Sequence, residues 1–170
     1  MADVLFSMAL SLVHLFIGLI SAVLSVFLAL RLLNKMTGTL DEWKELKSGN
    51  IAIGILFVAV IISVLLMIAP VAASSINLIQ HFRPAISFFT NFVIAIANIF
   101  IASIFSIFAL YLSFFIADKL TFDINELGEL KKGNVAVALM IAAIFVGIAF
   151  VITPFIIEFV SAIDLASFAR

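Results

Sequence analysis

Few side chains in this 170-residue chain can do chemistry, and most stand where chemistry is expensive. His14, Asn91, Asn98 and Glu158 lie inside or at the rim of long apolar runs. An ionisable or amide group there pairs with a neighbour, moves a proton or lines a path for a solute. His14 and Asn98 suit hydrogen bonding between helices. Glu158 is either buried or, as an interfacial group, simply solvated. A second set occupies two short polar connectors: Trp43, Glu45, Lys47, Gly49 and Asn50, then Glu129, Lys131, Lys132, Gly133 and Asn134. Charges beside an aromatic ring could dock a cytoplasmic partner or a lipid headgroup. There is no nucleophile elbow, phosphate loop, zinc-protease pair or paired acid. His14, His81, Glu158 and Asp164 lack metal-ligand spacing, and the chain has 0 cysteines. The expectation is no enzyme, no cofactor and no metal.

The elements that must position these residues follow from composition. The chain is 66% hydrophobic and 11% charged, with a mean hydropathy of +1.39. A soluble domain is nearer half apolar and a quarter charged. Nine Lys and Arg against ten Asp and Glu leave no basic footprint for nucleic acid. Residues 51–80, 85–117 and 135–157 contain no charge, and residues 4–30 contain only His14 as a titratable group. Each run exceeds the ~20 residues that cross a ~30 Å hydrocarbon core. Unbroken runs of this length must be helices, because only a helix pairs all its backbone groups within one segment. The pattern predicts an all-α integral membrane protein with four transmembrane helices.

Arg31, Lys35, Lys44, Lys47, Lys119, Lys131 and Lys132 lie in or beside the connectors at 34–49 and 118–133, whereas Arg83 and Arg170 lie on the other side. This bias places the connectors in the cytoplasm and both termini outside, in a multi-pass cell (inner) membrane protein. The first helix lacks a cationic lead and a small-residue cleavage pattern, so it is expected to be retained.

Sliding the chain by 84 residues lays Glu45–Ala52 on Glu129–Ala136, ELKSGNIA on ELKKGNVA. The same offset pairs Phe16 with Phe100, Lys35 with Lys119, Thr37 with Thr121, Glu42 with Glu126, Ala59 with Ala143 and Pro70 with Pro154. The reading is a tandem duplication of a two-helix hairpin, 1–84 and 85–170, both copies inserted the same way up as one membrane domain. Ser7, Ser11, His14, Gly18, Ser21 and Ser25 recur every three or four residues along the first helix. Ala52, Ala59 and Ser63, with Ala136, Ala143 and Gly147, mark the second helix of each copy. Small residues on a helical stripe let backbones approach closely, so these are expected to be packing faces rather than a polar pathway. Pro70 and Pro154 fall near the outer boundary, where kinks are expected; beyond them the chain either continues as helix or bends into the interface.

Leu40, Trp43 and Leu46 recur as Ile124, Leu127 and Leu130, with glutamates between them. That spacing predicts two short amphipathic helices on the cytoplasmic interface. Gly49 and Gly133 would end them in left-handed caps, and Asn50 and Asn134 would cap the following spans.

The doubled E-L-K-x-G-N-[IV]-A motif, with acidic connectors and long small-residue spans, resembles the domain of unknown function 350 family of small prokaryotic membrane proteins. That resemblance implies a four-helix inner-membrane protein with no established activity and no catalytic residues to carry over. The expected function is a non-enzymatic membrane subunit that self-associates or serves a larger membrane assembly. The alternative is a channel or carrier for ions or a small solute, with His14, Asn91 and Asn98 at an oligomer axis. The expected partners are the lipid bilayer and copies of the chain or other membrane subunits, not nucleic acid.

Overall fold

The computed structural model describes the backbone of residues 2–38, 41–80, 85–121 and 125–162, and the side chains of 8–9, 12–13, 15–38, 41–73, 93–121 and 125–162. Six helices follow one another: α1 Ala2–Thr37, α2 Glu42–Lys47, α3 Ile51–Gln80, α4 Ala85–Leu120, α5 Glu126–Lys131 and α6 Val135–Ala162. No strand occurs among the described residues. Within α1, α3, α4 and α6 lie four stretches, Leu15–Thr37, Ile51–Ala73, Val93–Leu120 and Val135–Ala162, each long and apolar enough to cross a membrane. Pro70 and Pro154 stand inside α3 and α6, which run on past them to Gln80 and Ala162. The post-proline segments are therefore helical as far as they are described; Asp164 lies outside the described residues.

The four long helices form a bundle. Its sides are α1 on α3, α3 on α6, α6 on α4 and α4 on α1, and α3 also packs on α4 across the short diagonal. Among the described residues, α1 and α6 do not pack along one another. Thus α3 has long neighbours on three sides, and 56% of its most apolar stretch is buried, against 11% for α1. One core near the connectors joins Ala29 and Leu33 of α1 to Ile53, Leu56 and Val60 of α3 and to Ile141 and Phe145 of α6. A second, further along the bundle, joins Met67 and Val71 to Ala102, Ala149 and Ile156.

Several hydroxyls inside the bundle are spent on nearby acceptors, whereas that of Ser63 on α3, fully buried, has no partner among the described residues. Ser106, Ser113 and Thr121 donate to the carbonyls of Ala102, Ala109 and Ala117 at 2.7, 2.7 and 2.8 Å. Ser25 of α1 donates to Ser103 of α4 at 2.8 Å, and Ser103 donates onward to the Ile99 carbonyl at 2.8 Å. Proline has no N–H, so Pro70 leaves the carbonyl of Leu66, four residues earlier, without its helical donor. The hydroxyl of Thr153 on α6 reaches that carbonyl at 3.4 Å while donating to the Ala149 carbonyl at 2.6 Å. A backbone acceptor freed in an apolar setting is thus approached by a neighbouring helix, as lipid requires.

The stripes of small residues meet different surroundings. Ser25, Ala52, Ala59 and Ser63 are buried, Gly18 and Ser21 are half-buried, and Ala136, Ala143 and Gly147 face outward. The difference follows from position, since α3 is enclosed on three sides and α6 meets only α3 and α4 along its length. The side chains of Ser7 and Ser11 lie outside the described residues. Ala59→Leu is expected to overpack α3 and cost about 1–3 kcal/mol, seen as a lower melting temperature in detergent. Phe108→Leu, on the outward face of α4, should leave the melt unchanged.

Candidate functional site

The two connectors are built alike. Asp41 caps α2 by accepting from the Lys44 amide at 3.1 Å, and Asn125 caps α5 by accepting from the Gly128 amide at 3.0 Å. Each helix ends with a glycine at positive φ, Gly49 at 86° and Gly133 at 81°. A side chain is disfavoured in that left-handed region, which is why glycine serves there. The amides of Gly49 and Asn50 donate to the carbonyls of Leu46 and Glu45 at 3.1 and 3.0 Å, and those of Gly133 and Asn134 to Leu130 and Glu129 at 3.0 and 3.0 Å. This double bond pattern satisfies carbonyls a helix end would otherwise leave open.

The asparagines then turn the chain into the next span. Asn50 accepts from the Ile53 amide at 3.3 Å, and Asn134 accepts from the amides of Ala136 and Val137 at 3.1 and 3.4 Å. Their amide nitrogens donate back to the glutamates five residues earlier, Asn50 to Glu45 at 3.2 Å and Asn134 to Glu129 at 2.7 Å. The motif thus closes on itself, with glutamate, glycine and asparagine each occupying a position the turn requires. Asn50 does one thing more. Its amide nitrogen also donates across the bundle to the Leu130 carbonyl at 2.9 Å, tying the start of α3 to the end of α5.

Electrostatics separate the acids. Glu129 is held below its ordinary carboxylate range by the Asn134 hydrogen bond, then by the hydrogen bond and charge of Lys132, whose Nζ lies 2.7 Å from Oε1. Glu42 goes the other way, with burial the main cause of a raised pKa. Only 1% of its surface is exposed, one carboxyl oxygen is hydrogen bonded to the Thr37 hydroxyl, and the other, Oε2, has no partner among the described residues. Thr37 has one proton and a backbone acceptor of its own, the Leu33 carbonyl at 3.0 Å. A neutral Glu42 can donate to Thr37 while Thr37 donates to Leu33, an arrangement consistent with the raised pKa. Glu126, 84 residues on, has a buried Oε1 with no partner among the described residues, and it lines a cavity of about 140 Å³ together with Asp118.

The remaining sequence candidates are dispersed. Lys47, Lys131 and Lys132 are exposed, and Trp43 is half out of the protein with its ring edge-on to Phe57 at 5.2 Å. Asn98 is buried on α4, whereas Glu158 is exposed on α6. His14 and Asn91 stand on α1 and α4, but their side chains lie outside the described residues, as does His81. Among the described residues no three His, Asp or Glu side chains gather as metal ligands. An apolar groove of about 800 Å³ runs between α3 and α6 from Asn50 to Val146.

Two residues escaped the sequence reading as site candidates, Thr37 and Glu42. Their recurrence as Thr121 and Glu126 was visible, but it served only to align the two halves, and Glu42 was placed on the wet face of its connector. The spacing of five from Thr37 to Glu42, repeated from Thr121 to Glu126, is the signal that could have found them.

The family model described as Domain of Unknown Function (DUF350) matches residues 7–156, covering both connectors and most of each long helix. The chain belongs to the DUF350 family. No curated protein and no solved structure matches it. Membership identifies a DUF350 membrane protein and brings no substrate with it, so the reading of the connectors rests on their geometry.

Two outcomes follow for this DUF350 chain. Asn50→Ala removes a helix cap worth ~1 kcal/mol and strands the acceptors it served. It should destabilise more than Asn134→Ala, by about 1 kcal/mol in detergent melts. Because the folded state holds the Glu42 proton more tightly than the unfolded state, this group's penalty is absent at low pH and grows as pH rises through the ordinary carboxylate range to the raised pKa. Glu42→Gln should raise the melting temperature near about pH 8 and change it little near about pH 4, where the native carboxyl is already neutral.

Proposed function

We propose that this protein is a non-enzymatic membrane subunit that works by assembling, with copies of itself or with other membrane subunits. On this reading the chain is a tandem duplication of a two-helix hairpin, 1–84 and 85–170, inserted in parallel in the inner membrane and kinked at Pro70 and Pro154. The connectors face the cytoplasm, where the lysines concentrate, and the termini lie outside.

The observation that carries the proposal is the bareness of α1, of whose most apolar stretch only 11% is buried. Helices in lipid are not driven together by apolar attraction, so one is held by close packing and by polar bonds. Within its own chain α1 has Ser25, Ala29 and Leu33 buried near the connector end, while Leu15, Phe16, Leu19 and Ile20 are exposed. Gly18 and Ser21 are half-buried, a Cβ at Gly18 meeting Ala72 of α3 at 3.6 Å, so what α1 leaves open is its broad face of bulky apolar side chains. The connectors support the same view, because Glu45, Asn50, Glu129 and Asn134 are occupied in closing turns. Trp43, Lys47 and Lys131 remain available to a partner.

The alternative, conduction at an oligomer axis, needs polar groups free to face water. The hydroxyls of Ser103, Ser106, Ser113 and Thr153 donate instead to carbonyls one turn back, which favours assembly. Native mass spectrometry after minimal delipidation should show a defined homo-oligomer or a fixed-ratio complex with other chains. A monomer there, and under chemical crosslinking in the membrane, would overturn the proposal.

A further inference from the structure

Positions 84 apart carry related residues but not the same burial, and the differences fall on one side of each helix. On α3, Ala52, Ala59, Ser63 and Met67 are at most 3% exposed. Their counterparts on α6, Ala136, Ala143, Gly147 and Val151, are all exposed. The converse holds on the opposite flank, where Ala149 of α6 is 1% exposed and its counterpart on α3, Leu65, is 40% exposed. The first helices behave likewise: Ile99 of α4 is 3% exposed and Leu15 of α1 is 60% exposed.

The packing explains the pattern. Helix α3 is covered by the two long helices that follow it, α4 across the short diagonal and α6 alongside. Among the described residues no further long helix covers α6 in the same way, and none covers the corresponding outward flank of α1 and α3. Each half of the chain therefore shows one flank of a single interface with its mate and leaves the other flank open. The open flanks are complementary by construction, since one corresponds to α3 as α4 and α6 meet it, and the other to α4 and α6 as they meet α3. At Gly147 a built Cβ would touch nothing within 4 Å, although Ser63, its counterpart, is fully buried. Lipid tails gain little from a strip of Ala, Ala and Gly, whereas a helix can approach it closely.

We infer that the outward face of α6 is covered in the membrane by α1 and α3 of a second copy, seated as α4 and α6 are seated on α3 within one chain. This deepens the self-association reading above and rests on it. The contact is heterologous, the head of one copy meeting the tail of the next, and it generates a ring where the rotation closes.

The absence of cysteine makes the test direct. Chains carrying Val151→Cys and chains carrying Leu15→Cys, each with its own tag, are co-expressed and treated in membranes with a short bifunctional thiol reagent. The expected product is the mixed dimer, at least about 10-fold over either homodimer, because a head-to-tail contact brings neither residue near its own copy. Gly147→Phe added to the Val151→Cys chain should abolish the mixed product, while helix content and thermal melting in dispersing detergent remain as before.

Homodimers from Val151→Cys alone would overturn the inference in favour of a two-fold contact. Failure of the mixed product while native mass spectrometry still shows an oligomer would overturn the inference and leave the assembly reading standing. Loss of any oligomer in both measurements would overturn both.

Discussion

Everything in this fold depends on how closely other helices can approach α3. In water a bundle is drawn together by burying apolar surface, but in hydrocarbon that surface is at no disadvantage, and close packing has to carry the association. Ala52, Ala59 and Ser63 give α3 a low profile on the side where burial is complete, and the bulkier Leu56, Val60, Met67 and Val71 fill the adjoining core. With α3 enclosed, α4 and α6 can meet each other as well as α3, and α1 is held by what remains. The order of burial among the four long helices is a consequence of which of them sits in the middle.

The connectors solve a different problem at the end of the same helices. A chain that leaves one span and enters another must satisfy open carbonyls and open amides within a few residues. Here glycine supplies the left-handed turn, glutamate accepts the asparagine amide, and asparagine accepts from the next helix, so the same six-residue logic serves at Glu45 to Asn50 and at Glu129 to Asn134. The reach of Asn50 to the Leu130 carbonyl converts two local turns into one fixed end of the bundle. Glu42 lies under this end, buried against Thr37, and its raised pKa follows mainly from desolvation, with the charge of Asp41 adding to it. Glu129 is shifted the other way, by the Asn134 hydrogen bond first and then by the hydrogen bond and charge of Lys132.

The long apolar helices and the glycine and asparagine caps were legible because each follows from a local rule: hydrocarbon demands internal backbone pairing, a left-handed cap demands glycine, and a helix start wants a side-chain acceptor. What depended on which helix packs on which was not legible. Glu42 reads as a wet residue between Asp41 and Trp43, and only the return of α1 beside it shows that it is covered. The Asn50 bond to Leu130 spans 80 residues, and no local pattern marks it. His14, Asn91 and Asp164 bear on conduction or on the outer rim and lie outside the described side chains, so their weight still rests on residue type alone.

Ala59 and Ala143 put the limit of sequence reading most sharply, since the same residue in the same local pattern is buried on α3 and exposed on α6. Composition cannot distinguish them, because the difference lies in which helices pack against each. In a water-soluble repeat protein an uncovered end must be made polar or it aggregates. A bilayer removes that pressure, so an apolar end can persist against lipid, and its chemistry becomes diagnostic of what lies against it. Phe150, Val151 and Phe155 would serve either a lipid tail or a helix, but Ala136, Ala143 and Gly147 are small and outward-facing, the kind of residue that lets a helix approach closely. Small residues kept on this flank, with Gly147 where a Cβ would meet nothing within 4 Å among the described residues, are the feature on which the inference of a second copy rests.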